Sequence, residues 1–226
     1  MSEENAPKVT QLEYQDFWLN KESAVGPEHI QRRRIASSMN KIMGKLIRMD
    51  ASVKELESYA NQMEDLERQI IKHGRLDRMA IMNTIANDEA TTVDALNIVD
   101  FSLFIGASTP FTLPMDVWLE GEKVCASANL GIQYEGPPGR VHGGIVCALL
   151  DTLLTRAQSI TKQMGFTGTL TIKFLAPTPI EADIRMEAEV ARVEGRKLFI
   201  TGKILYDGAV TAEAEGVWIQ PKVPIF

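Results

Sequence analysis

From residue 112 onward, hydrophobic residues recur at every second position. Met115, Val117 and Leu119 alternate with Pro114, Asp116 and Trp118. Beyond a Glu120-Gly121-Glu122 turn, Val124, Ala126, Ala128, Leu130, Ile132 and Tyr134 alternate with Cys125, Ser127, Asn129, Gly131 and Gln133. A period of two marks strands with one buried face. Four more strands follow the same rule. Leu170, Ile172 and Phe174 oppose Thr169, Thr171 and Lys173, and Ala182, Ile184, Met186, Ala188 and Val190 alternate with charged residues. After a turn at Glu194-Gly195-Arg196, Leu198, Ile200 and Ile204 continue the inner face, and Asp207-Gly208 is a strong hairpin signal before Val210, Ala212, Ala214 and Trp218. Between the two sets of strands lies an apolar run from Ile145 to Ile160 without the polar stripe of a surface helix. It predicts a helix over about 142–163, buried on nearly all sides. The combination is an α+β architecture, one antiparallel sheet wrapped around one long central helix.

The N-terminal part has a different period. Ile35, Met39, Ile42, Leu46 and Met49 step by fours and threes, which predicts a helix over 28–49. Ser52 with Glu55 three residues later forms a capping box, and Val53, Leu56, Ala60, Met63 and Ile70 line one face of a second helix ending at His73-Gly74. A helical hairpin fits best, although the spacing also allows one continuous helix. The expected organisation is an N-terminal arm over 1–27, a helical extension with linker over 28–100, and the sheet-and-helix domain over 101–226. Leu12, Phe17 and Trp18 would anchor the arm. The methionines Met39, Met43, Met49 and Met63 suit a packed extension or a lid. Arg32-Arg33-Arg34 reads as a solvated face, with a contact to phosphate groups as its alternative.

One carboxylate, Asp151, interrupts the apolar helix. A charge there needs a partner or a wet cavity, so a purely structural sequence rarely keeps it. Helical spacing puts Gly144, Cys147, Ala148, Asp151 and Thr155 on one side, a narrow seam of small and polar residues, while Ile145, Leu149, Leu153 and Ile160 face the core. The helix opens at His142-Gly143-Gly144, after a rigid Gly136-Pro137-Pro138-Gly139 loop. Its first N–H groups lack internal partners and can hold a carbonyl oxygen that is gaining negative charge. A thioester carbonyl docked at Gly143 would meet no side chain, and Asp151 could activate water or attack it. Yet eight residues separate Gly143 from Asp151, about 12 Å at the helical rise. For both to act on one carbonyl, two antiparallel copies of the helix must lie side by side in a two-fold dimer.

His142-Gly143-Gly144 followed by Asp151, with Gly-Pro-Pro-Gly-Arg-Val before it, resembles the hotdog-fold acyl-CoA thioesterases of the 4-hydroxybenzoyl-CoA and phenylacetate-pathway type. The resemblance spans about residues 100–220. It implies a hotdog fold and hydrolysis of an acyl-CoA to free acid and coenzyme A. It also implies a backbone donor at Gly143 and an acid at Asp151 serving as nucleophile or general base. Thr155 matches a hydroxyl one turn after the acid, and Thr169 matches a Ser/Thr that assists the acid in some members. His142 would fix the loop, or polarise the thioester. Gly144, Arg140 and Lys173 are expected to bind substrate, the two cations toward the phosphates of coenzyme A. Where some relatives carry an Asn six residues before the His, this chain has Gly136.

Composition narrows the rest. The chain has 226 residues, of which 45% are hydrophobic, enough for a substantial core. Its net charge of −6 argues against nucleic acid as a partner. No basic and apolar leader opens the sequence and no run suits a membrane span, so a soluble, cytoplasmic protein is expected. The two cysteines, Cys125 and Cys147, form no metal-binding pattern, and Cys147 reads as packing rather than as a nucleophile. The expected partners are an acyl-CoA substrate and further copies of the chain, a dimer or a dimer of dimers. No cofactor is expected beyond the coenzyme A of the substrate. The alternatives are a non-catalytic acyl-CoA-binding or scaffolding protein and, further off, a hydratase or dehydratase on the same fold.

Overall fold

The computed structural model describes residues 25–222 apart from residue 88. Leu12, Phe17 and Trp18 lie outside the described residues. The chain first forms α1 (Pro27–Ile47), α2 (Val53–Ile70), α3 (Arg78–Ala86) and α4 (Thr92–Asp100). It then forms β1 (Met115–Glu120) and β2 (Lys123–Asn129), the central helix α5 (Gly143–Ala157), and β3 (Phe166–Phe174), β4 (Asp183–Glu194), β5 (Lys197–Tyr206) and β6 (Ala209–Ile219).

The six strands make one antiparallel sheet in the order β1-β2-β4-β5-β6-β3. α5 lies across it, against β2, β4, β5, β6 and β3. The alternation read from the sequence marks the inner face correctly. Val124, Ala126, Ile184, Met186, Leu198, Ile200, Ile204 and Trp218 are all buried against the helix residues Leu149, Leu150, Leu153 and Leu154. This is the helix-in-sheet architecture expected of the hotdog fold. Two details differ. The strand expected to run to Tyr134 stops at Asn129, and Ile132–Tyr134 form a single 3₁₀ turn. The central helix gives way to a 3₁₀ turn (Gln158–Thr161) after Ala157. Nor is the helix covered all round: Gly144 is exposed, and Cys147, Ala148, Asp151 and Thr155 are only half-buried.

The capping box stands where the sequence placed it: Ser52 Oγ accepts from Glu55 N, and Glu55 Oε2 accepts from Ser52 N at 2.9 Å. It separates α1 from α2, so a single long helix is excluded. The packed hairpin is not formed either, because no residue of α2 is buried and Leu56, Met63 and Ile70 remain exposed. α1 instead docks on residues of the later part of the chain. Asn40 Nδ2 donates to Pro110 O at 2.7 Å and to Tyr134 Oη at 3.0 Å. Arg33, expected on a solvated face, donates Nε and Nη2 to the two oxygens of buried Asp100 at 2.9 and 2.8 Å, and Ser108 Oγ adds a third donor. A carboxylate buried at the end of α4 needs such partners, and α1 supplies them.

Candidate active site

The loop before α5 is held at several points. Tyr134 O accepts from His142 N at 2.8 Å, Val141 N donates to Thr178 O, and Glu135 Oε1 accepts from Gly139 N. Gly139 adopts φ +76°, a conformation that glycine takes without strain. His142 is the N-cap of α5: its Nδ1 accepts from Gly144 N at 3.0 Å. A ring nitrogen that accepts carries no proton, so the proton sits on Nε2. The ring therefore caps the start of the helix. It leaves Gly143 N–H without a hydrogen-bond partner among the described residues. That N–H stands at the positive end of the helix. The nearest side chain is the exposed ring of Phe174, 3.7 Å from where a Cβ on Gly143 would lie.

Asp151 is half-buried on the open seam two turns further along. Thr167 Oγ1 donates to its Oδ1 at 3.1 Å. Thr169 does not reach it. A β-bulge lies between them: Thr167 pairs with the inward-facing Trp218, whereas Thr169 pairs with Val217 and so stands on the outer face. Gly168 is the extra residue, and a Cβ there would meet Ile219 Cδ1 at 2.8 Å. The sequence signal was a glycine inside a strand, which marks a bulge and a change of face. Thr155, one turn beyond the acid, accepts from Trp218 Nε1 at 3.2 Å.

The two cations proposed for phosphates are placed apart from the acid. Lys173 lies on the outer sheet face and pairs with Glu213 at 3.1 Å. Arg140 is exposed in the loop, paired through its backbone with Pro179. Burial pushes the Cys147 thiol above its ordinary pKa, which works against a thiolate nucleophile.

A cavity of about 570 Å³ opens beside the acid's partner Thr167 and beside Thr155. Phe166, Met164 and Trp218 wall it from one side, and Met79, Met82 and Ile98 from the helical extension wall the other. The extension thus shapes a pocket through α3, not through the methionines of α1 and α2. Arg156 also borders the cavity. It is 3% exposed, and its Nε and Nη2 have no hydrogen-bond partner among the described residues. Arg156 is a charge in an apolar helix, the same signal that singles out Asp151.

Gly143 and Asp151 both lie on the single helix α5, about 12 Å apart along its axis. One chain does not bring them to one atom. What it presents is a free donor at one end of an open seam and a hydroxyl-supported carboxylate further along it.

Comparison with known proteins agrees with the resemblance read from the sequence. Residues 138–212 match the thioesterase superfamily. Mouse acyl-coenzyme A thioesterase THEM4 is 28% identical over 99 residues, covering 42% of this chain and 43% of that protein. Human acyl-coenzyme A thioesterase THEM5 is 29% identical over 92 residues, covering 40% and 37%. The chain thus spans less than half the length of these curated relatives. A crystal structure described as a thioesterase superfamily protein superimposes with a TM-score of 0.69 at 24% identity, covering 83% of this chain and 94% of that one, and it shows the fold. Among the described residues, no helix is long and apolar enough to cross a membrane.

Proposed function

We propose that this chain, whose residues 138–212 carry the thioesterase-superfamily match, hydrolyses acyl-CoA thioesters at a site shared between two copies. The observation that carries the reading is the placement on α5 of an unpaired Gly143 N–H and of Asp151, held by Thr167, on one open seam. Two such helices laid antiparallel, seam to seam, bring the N–H of each to the acid of the other. The seam is lined by Gly144, Cys147 and Ala148, small enough for close approach.

In that arrangement Gly143 N–H donates to the thioester oxygen, and the positive helix end stabilises the oxyanion. Asp151 of the other copy faces the carbonyl carbon. As general base it takes a proton from the attacking water. As nucleophile it forms a mixed anhydride that water then cleaves. In both routes the C–S bond breaks, coenzyme A leaves as its thiol, and the acid is released. His142 holds the donor in place by capping Gly144. Trp218 and the α3 methionines exclude water from the acyl side.

The test is complementation. Asp151→Asn removes the acid. Gly143→Pro removes the donor and adds a ring where the carbonyl docks, yet keeps the helix start, since proline is accepted at the first helical position and ψ 134° at His142 suits the residue before a proline. Each variant alone should lose roughly 100-fold or more in kcat. Mixed and refolded together in equal amounts, they should recover about a quarter of the wild-type rate, the share of intact sites in a random two-fold dimer. Release of coenzyme A from a panel of acyl-CoAs, followed with a thiol reagent, is the readout. No recovery from two folded, dimeric variants would place each site within one chain. Acyl-CoA binding without turnover by the wild type would favour a non-catalytic binding protein.

A further inference from the structure

α2 stands clear of its own chain. Every residue from Ser52 to Ala80 is exposed, so none of the 18 residues of α2 is buried against the sheet, α1 or α3. An isolated helix of that length is marginal in water. This one also shows water a continuous apolar seam: Leu56, Tyr59, Met63, Leu66 and Ile70 are each 40–50% exposed. A helix of this kind needs something to lie on.

α1 carries the counterpart. One of its sides docks on the body of the chain through Arg33, Ala36 and Asn40. A second side shows Ile35, Met39, Ile42 and Leu46, continued past the helix end by Met49, and these are 37–59% exposed. The α1 seam steps by four, three, four and three residues. The α2 seam, read backwards from Ile70 to Leu56, takes the same steps. Laid antiparallel, the two seams match layer for layer, with Ile42 opposite Met63 at the middle.

Charge selects the pairing. Arg34, Lys41 and Lys45 follow one edge of the α1 seam, whereas Glu55 and Glu67 flank the α2 seam. Over their lengths, α1 holds five Lys/Arg against one acid, and α2 holds five acids against two Lys/Arg. Two copies of α1 face to face set base on base, and two copies of α2 set acid on acid. Only α1 on α2 joins unlike charges. An anionic membrane surface suits the basic helix but repels the acidic one. Within one chain the two seams do not meet, although only residues 48–52 separate the helices. The matching surface is open on any other copy, and exchange of one element between identical chains is a low-cost route to a dimer.

We propose that a second copy covers both seams: α2 of each chain lies antiparallel on α1 of the other, giving two such pairings in a two-fold dimer. This surface is separate from the α5 seam and does not depend on hydrolysis.

Two measurements on the full chain test it. The first is the dimer dissociation constant, by sedimentation equilibrium, of the wild type and of Met63→Glu/Leu66→Glu. The substitutions take two apolar side chains out of each of two pairings, so the constant should rise by at least about 100-fold. Both positions are exposed in the single chain, so the variant keeps its core, and its circular dichroism checks this. The second is oxidation of Ile42→Cys/Met63→Cys, which should run as a covalent dimer on a non-reducing gel, with the wild type and its Cys125 and Cys147 as the reference. A dissociation constant unmoved by the glutamates overturns the proposal, and leaves a dimer built on α5 standing. A cross-linked monomer overturns it too, because the hairpin then closes within one chain. So does a wild type that stays monomeric and binds phosphatidylserine vesicles through these helices, which would assign the seams to a membrane.

Discussion

The hydroxyl of Thr167 is the smallest feature on which the proposed chemistry depends. A hydrogen bond to a charged group is worth about 1.5–3 kcal/mol, so Thr167→Val should lower kcat/KM by roughly 10- to 100-fold. Thr169→Val, on the far face of the same strand, should change it by less than about twofold, since a surface substitution costs within roughly 0.5 kcal/mol. Steady-state assays of the two variants side by side separate them. Asp151 is legible in the sequence because a carboxylate in an apolar helix has no structural excuse, and Gly143 because a glycine at a helix start exposes its N–H. Thr167 is harder to read, since strict alternation from Leu170 back to Thr169 runs straight past the bulge. Arg156 obeys the same criterion as Asp151, but its long side chain hides the conflict: an arginine usually reaches solvent, and only the coordinates show that this one does not.

At the level of elements, the sheet and its central helix follow from periodicity, and the positions of the N-terminal helices do not. The capping box fixes where α2 begins because a cap is local chemistry. Where α1 lies depends on Asp100, 67 residues away from Arg33, a pairing that no spacing rule reveals. That ion pair is the latch of the extension. Asp100→Ala should cost about 3 kcal/mol, the low end for breaking a buried pair because the Arg33 side chain keeps 22% exposure. The expected result is selective release of α1. Limited proteolysis should cut within 27–47 while the sheet core remains protected, and a uniform loss of protection would contradict the latch.

Across the whole molecule, the buried charge of Arg156 counts against stability. Burial pushes its pKa down to about 10, so at neutral pH the folded chain carries a charge that it disfavours. Arg156→Met should therefore raise Tm at pH 7, by roughly 10 °C for a penalty on the order of 3 kcal/mol. As the pH climbs past about 10, the folded wild type sheds a proton that the unfolded chain still holds, and its stability rises toward that of the variant. Melting curves of both proteins from pH 7 to 11 would show the gap closing from the acid side upward, and a constant gap would refute this account. The bulge at Gly168 has a consequence for reading related sequences. In a relative whose corresponding strand runs without the extra residue, the position opposite the equivalent of Trp218 comes one place later in the count. A gapless alignment anchored on Thr169–Phe174 would then set Gly168 in the slot of the assisting hydroxyl and report it missing, when a single gap restores it at Thr167.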